Sequence, residues 1–314
     1  MVTTSHAPSP RKRQKGAFTR NFKKNYQYYL LLLPAVIWYA IFCYGPMYGV
    51  QIAFRNYNGA LGMLGSPWVG LKHLVSFFES YYFGTLVKNT LAISLYSLAT
   101  CPLPIIVALM LNEVQNAKYK KCIQTIIYAP HFISTVVLVG IIIIVLSPST
   151  GIVNVARRAM GMESRYFMSD PGAFRHIYTW SGVWQNLGWS SIIYLAALSA
   201  VNTELHEAAM IDGASRMQRI WYINLPTLMP TFTILLIMQT GSLMSVGYEK
   251  ALLMQNDLNM TTSNIISTYV YERGLLGAQF SFSAAAGLFN NVINFLLLII
   301  VNGIARKLGD TSLF

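Results

Sequence analysis

Charge is what this sequence has least of. Only 11% of its 314 residues are Asp, Glu, Lys or Arg, against 54% hydrophobic, and mean hydropathy is +0.45. Soluble domains carry about 25% charged residues, so a string of water-soluble domains is excluded for most of the chain. Cysteine is scarce too. Cys43, Cys101 and Cys122 fall in or beside apolar runs, at no metal-ligand spacing and in no disulfide framework, which predicts buried free thiols. There is no G-x-x-x-x-G-K-[ST] phosphate loop and no H-E-x-x-H metal site, so neither ATP nor a metal is expected on this chain. No serine or cysteine sits in a nucleophile motif. The first 25 residues have no apolar core and no small-residue cleavage site, so no signal peptide is expected. They read as a basic, flexible tail ahead of one membrane domain, 26–314.

Long apolar runs are what the chain does have. A bilayer core requires about 20 mostly apolar residues per helix, and six segments qualify: 28–49, 89–111, 123–146, 177–200, 228–248 and 283–304. Barrel strands are shorter and alternate. The expected fold class is therefore all-α, a polytopic membrane protein with six transmembrane helices. Fourteen of the 23 Lys and Arg residues fall on the side that holds the N-terminal tail, and nine on the other. The tail and the short KYKK loop weigh most in this balance, which places the N-terminus, the loop at 201–227 and the C-terminus in the cytoplasm. The net charge of +12 is thus an orientation signal. Nucleic acid is not an expected partner, because no basic face with interleaved aromatics lies outside the tail.

None of the six segments contains Asp, Glu, Lys or Arg. Ion-driven carriers generally use intramembrane carboxylates or paired polar sites, although a Na⁺ site made of carbonyls alone would escape this test. An ion-coupled secondary sugar carrier is therefore the alternative reading. His131, within the third segment, is read as a structural hydrogen-bonding residue.

Between the fourth and fifth segments lies EAAMIDGASRMQRIWYINLP, residues 207–226. Met210, Ala214, Met217 and Trp221 recur at the spacing of one helix face. Asp212 and Arg216 stand at i, i+4 with the acid first, the better order for a helical pair. Gly213 interrupts and predicts a bend or a close backbone approach, and Pro226 is expected to end the amphipathic stretch before the next span. The expectation is a pair of short helices on the membrane face, with Ala208 and Ala209 as a small-residue knob and Glu207 beside it. An ordinary interfacial helix is the plainer alternative.

Glu207, Ala208, Ala209, then Asp212, Gly213, Ala214, then Ile223, Leu225 and Pro226 resemble the EAA motif of binding-protein-dependent ABC importer permeases. PHFIS at 130–134, LSPSTGIVN at 146–154, TYVY at 268–271, AGLFNNVIN at 286–294 and the ending KLGDTSLF resemble oligosaccharide permeases of the carbohydrate-uptake branch. These handle fragments such as aldouronates, alginate oligomers and rhamnogalacturonan pieces. The resemblance covers the chain from about residue 25 onward. One departure is Ile220, where many relatives have an aromatic; Trp221 stands alongside. The resemblance implies an ABC importer permease fold of the type I kind in a bacterial cytoplasmic (inner) membrane. It also implies a second permease subunit, two ATP-binding subunits that hold ATP and Mg, an extracytoplasmic solute-binding protein and an oligosaccharide substrate. The loop would then be a coupling helix docked on the ATPase, with Glu207 paired to a basic residue there, Gly213 turning the chain and Leu225–Pro226 closing the motif.

Sugars are bound by aromatic faces and amide hydrogen bonds, and polar residues within spans face a cavity or another helix. Trp184, Gln185 and Trp189 in the fourth span, Gln239 and Ser242 in the fifth, and Asn290 and Asn294 in the sixth are the candidate substrate path. Hydrogen bonding between helices is the competing reading for each. Trp180 is read either with this face or as an interfacial anchor. Arg157, Arg158, Arg165 and Arg175 of the outer loop would suit an acidic oligosaccharide such as alginate; solvated charges are the plainer reading, so a uronate substrate is a hypothesis.

Overall fold

The structure is a computed structural model that describes residues 24–308 and Leu313. The basic tail up to Lys23 and most of the KLGDTSLF ending lie outside the described residues. Among the described residues the chain is nearly all helix, with no strand and only two isolated bridges, Arg55–Trp68 and Asn58–Gly62. It divides into two units after Gln51.

The first unit is most of helix α1, Tyr26–Phe54. No side chain from Tyr26 to Met47 is buried, as suits a helix that is apolar all round. Its turns widen at Ala40–Tyr44, where the amide of Gly45 reaches back to the Ala40 carbonyl, and Pro46 follows. Proline lacks an N–H and crowds the carbonyl four residues earlier. A π turn just before it relieves that crowding without breaking the helix.

Among its described residues the second unit holds two four-residue helices, Gly62–Gly65 and Met260–Ser263, and twelve longer ones. These are α2 (Lys72–Phe78), α3 (Phe83–Ala99), α4 (Leu103–Asn112), α5 (Ala117–Tyr128), α6 (Thr135–Val145), α7 (Ile152–Ala159), α8 (Pro171–Ser199), α9 (Thr203–Ile211), α10 (Arg216–Thr240), α11 (Tyr248–Met254), α12 (Ile266–Tyr271) and α13 (Phe280–Leu308). α1, the α3–α4 run, α10 and α13 are each long and apolar enough to cross a membrane. α8, at 29 residues, would reach about 44 Å at 1.5 Å per residue; its amides and hydroxyls make it more polar than those four.

The expected third span, 123–146, is not one rod. α5 continues through a tight turn at Ala129–Phe132, and α6 leaves at 101°. Pro130 starts the turn, and the Ser134 hydroxyl caps the new helix by accepting from the Val137 amide at 3.4 Å. His131 therefore sits at a bend. It stacks on Trp189, with ring centroids 4.4 Å apart, and bonds Asn186 at 3.0 Å, the structural role expected of it. Span five also differs, because α10 ends at Thr240 and residues 241–247 are unwound. Asn294 bonds the Met244 amide and the Ser245 hydroxyl there, each at 2.8 Å, and the Ser94 hydroxyl donates to the Leu243 carbonyl. The cysteines are free, but none is buried as expected: Cys43 and Cys101 are half-buried and Cys122 is exposed.

Inside a bilayer, packing one helix on another gains dispersion contacts rather than escape from water. Small residues at crossings make that packing close. α8 approaches the end of α5 so closely that a Cβ on Gly188 would overlap the Ile127 carbonyl oxygen. Elsewhere Phe77, Leu86, Met244 and Ile266 form one apolar cluster, and Ile105, Tyr194 and Leu228 another. A polar joint binds α3 to its neighbours: Asn89 donates to the carbonyls of Thr261 and Asn264 at 3.0 and 2.9 Å and accepts from Arg175 at 2.8 Å. We expect Gly188→Val to cost about 1–3 kcal/mol by overpacking. It should lower the melting temperature of the purified protein, while Gly140→Ala, where the added Cβ meets nothing, leaves it within error.

Candidate functional site: a turned loop and a polar cavity

The loop after α8 is built entirely from capping interactions. Asn202 starts α9 by accepting from the Glu204 amide at 3.0 Å. α9 ends in a paired cap: the Gly213 amide bonds the Met210 carbonyl at 3.1 Å, and the Ala214 amide bonds the Ala209 carbonyl at 2.8 Å. This cap requires a left-handed residue just past the helix end, and Gly213 has φ +79°. Ser215 then opens α10 in a reciprocal box with Gln218, its amide donating to the Gln218 side chain at 2.7 Å.

Two expectations fail here for one reason. The left-handed turn separates Asp212 from Arg216, so they form no helical ion pair; the one ion pair among the described residues is Arg165–Asp170. Nor do Met210, Ala214, Met217 and Trp221 share one helix face. Pro226 does not end a segment either. α10 runs unbroken from Arg216 to Thr240, with a π turn at Ile220–Asn224 just ahead of Leu225–Pro226, the device already seen before Pro46. Glu207, Ala208, Asp212 and Gly213 are exposed, Ala209 and Ala214 less so. Ile211, beside them, is 87% exposed and Met217 63%. The knob thus presents apolar side chains to solvent on a rigid support.

The second feature is a cavity of about 570 Å³ between the α3–α4 break, α8, α10 and the start of α11. Gln185 and Gln239 of the expected substrate path both line it, and Ser242 lines a smaller cavity of about 210 Å³ that shares Ser97, Tyr178 and Gln239 with it. The other candidates lie elsewhere. Trp184 is half-exposed outside the lining, and Trp189 is taken up by His131. Asn290 lines a separate groove beside Tyr248 and Tyr271, and Asn294 is buried in its bonds to the unwound segment. Gln185 has a local task as well, donating at 2.8 Å to the Ile133 carbonyl left open by the bend. Trp180 donates to the Tyr96 hydroxyl at 2.8 Å.

Lys250 is the cavity residue that the sequence reading passed over, since it lies just beyond the end of the fifth span. Its Nζ donates to the Tyr178 carbonyl at 2.7 Å and stands 4.6 Å from the centre of the Tyr178 ring. Gly182 gives it room, since a Cβ there would come within 3.3 Å of Nζ. Burial lowers the ammonium to about 8, which leaves it mostly protonated at neutral pH. The signal in the sequence was a single lysine straight after an apolar run, in VGYEKALLM.

The outer-loop arginines are occupied. Arg158 donates to the Pro148 and Ser149 carbonyls at 3.0 and 2.8 Å, and Arg157 to the Glu163 carbonyl at 3.2 Å. Arg165 pairs with Asp170, whose carboxyl is held below its ordinary range first by that guanidinium and then by the Gly172 amide. Asn154, fully buried, ties the same loop together. These charges hold LSPSTGIVN and its surroundings in shape.

A chain of apolar helices with an exposed, capped knob between two of them and a polar cavity within has the build of a transporter subunit. The family model described as "Binding-protein-dependent transport system inner membrane component" matches residues 101–310, and the chain belongs to that family. Protein LplB of Bacillus subtilis (strain 168) is 41% identical over 293 residues, covering 93% of this chain and 92% of that protein. The polygalacturonan/rhamnogalacturonan transport system permease protein YteP of the same organism is 41% identical over 287 residues, 91% and 89% of the two chains. A crystal structure of a bacterial alginate ABC transporter in complex with an alginate pentasaccharide-bound periplasmic protein contains a chain 39% identical to this one. It matches with a TM-score of 0.86 over 95% of this chain and 100% of that one. The protein is therefore an ABC importer permease, a multi-pass inner-membrane transport subunit rather than an enzyme, from a family that binds no cofactor itself.

Gly213→Ala places a Cβ at φ +79°, a strain on the order of 1–3 kcal/mol. We expect faster amide exchange at residues 209–215 with no change in the exchange of α8, read by hydrogen–deuterium exchange.

Proposed function

We propose that this chain is one of two permease halves of an importer for acidic oligosaccharides, and that residues 201–227 couple it to ATP hydrolysis. The observation that carries the coupling role is the Gly213 cap, which fixes a small-residue knob with exposed Ile211 beside Glu207. A rigid apolar projection flanked by charge suits a cleft in another protein. Two ATP-binding subunits, holding ATP and Mg, would receive this knob and that of a second, similar permease. The chain crosses the membrane six times, with both termini and the loop in the cytoplasm. The bent α5–α6 pair and the polar α8 make up the crossings that length and apolarity alone leave open. An extracytoplasmic binding protein delivers the substrate. Likeness to YteP and to the alginate transporter supports a uronate-bearing oligosaccharide.

ATP hydrolysis by the reconstituted complex in proteoliposomes, with binding protein and a panel of oligosaccharides, tests both parts. We expect a uronate oligomer to stimulate hydrolysis several-fold. Complexes with Glu207→Lys or Gly213→Pro should co-purify yet lose that stimulation. Variants that respond like the native chain would reduce the loop to an interfacial helix. Equal stimulation by neutral oligomers would remove the acidic preference.

A further inference from the structure

The cavity beside α8 has one charged group and no counter-charge. Its lining includes Lys250 but no carboxylate, and Lys250 is outside the single ion pair among the described residues. An ammonium has three donors; the structure gives this one a single hydrogen bond, to the Tyr178 carbonyl. A half-buried cation held by a carbonyl dipole and a ring face is costly to desolvate and gains most from an anion brought to it. The structure places it with care. Residues 241–247 are unwound, and they are anchored by Asn294, Ser94 and Tyr178, whose hydroxyl donates to the Gly247 carbonyl at 3.4 Å. That anchoring leads directly into α11. Gly182 leaves the space that Nζ fills. At about 570 Å³ the cavity falls within the range of small-molecule sites, roughly 300–1,000 Å³. Of the outer-loop arginines, the obvious alternative cations, Arg157, Arg158 and Arg165 are engaged by their own loop and Arg175 donates to Asn89.

We propose that this cavity is a sugar subsite in which Lys250 binds the carboxylate of a uronate unit, while Gln239 and Ser97 bond its hydroxyls and Tyr178 forms a wall. The assignment rests on the acidic-substrate reading above and adds the residue that enforces it. Lys250 is a specificity residue: it makes the subsite discriminate a charged sugar from a neutral one of the same shape, as a site with a buried ionic group rejects a ligand that leaves it unpaired.

The test is direct binding of two probes to the detergent-purified full complex without binding protein. One is a uronate tetrasaccharide; the other is the same oligomer with its carboxyls reduced to alcohols. Native complex should prefer the uronate. Lys250→Gln should weaken uronate binding about tenfold or more, the order of one lost charge pair, and change the neutral probe less than twofold. Lys250→Arg should retain more uronate affinity than the glutamine variant. Assembly of each variant is checked by co-purification of its partner subunits. If Lys250→Gln keeps the native preference, or weakens both probes equally, the assignment is overturned while the acidic reading stands. If the native complex binds both probes alike, the acidic reading fails and the assignment falls with it.

Discussion

A backbone inside a bilayer has no water to bond with, so every peptide group must find its partner within the protein. Most of the internal arrangement of this chain follows from that requirement. Where the helices run true, the ladder satisfies it. Where they break, a side chain is sent to the break. Gln185 of α8 covers the open Ile133 carbonyl at the 101° bend, and Ser134 caps the helix that leaves it. Asn294 and Ser94 hold the unwound stretch after Thr240. Asn89 serves the carbonyls ahead of α12. Pro46 and Pro226 are each preceded by a π turn, which moves the hydrogen bond back by one residue instead of losing it. Polar residues within apolar spans thus include those that repair backbone and those that line a cavity, and Gln185 does both.

That division separates the candidate path residues. Asn294 and Trp189 belong to repair and packing. Gln239 and Lys250 face space. The unwound stretch that Asn294 repairs is what brings Lys250 into the cavity, so the two classes are linked: irregular backbone is tolerated in a membrane protein where it is enclosed by other elements or lines a cavity. The outer-loop arginines show the opposite outcome. They are numerous and of the right sign, yet Arg157 and Arg158 turn donors inward on carbonyls of the loop that carries them, Arg165 pairs with Asp170 and Arg175 donates to Asn89.

The knob at residues 207–218 obeys the same chemistry at the water-facing edge. Two helix ends meet within a few residues, and the amides of Gly213, Ala214, Ser215 and Gln218 each find a local acceptor. The ordering of this projection is thus done by the fold itself.

The sequence alone determined a great deal. Apolar run lengths gave the membrane class, since a bilayer's thickness converts directly into residue count. The resemblance of the stretch from Glu207 to Pro226 to the EAA motif pointed to the family, and Gly213 gave the turn, because few residues other than glycine take up that conformation at low cost. Tertiary structure decided the rest. Reading Asp212 with Arg216 as a helical pair used the right spacing on a helix that the glycine had already ended. The 101° bend was not legible because a membrane helix tolerates a proline where neighbours satisfy the freed backbone groups, and the neighbour here, Gln185, lies 52 residues from the Ile133 carbonyl it receives. Lys250 went unseen for the same reason: a charge just outside an apolar run reads as solvated until the backbone before it is known to unwind and fold back. Periodicity and length report on each segment's relation to lipid, whereas a cavity is made by several segments at once, and only their packing shows which polar groups meet in it.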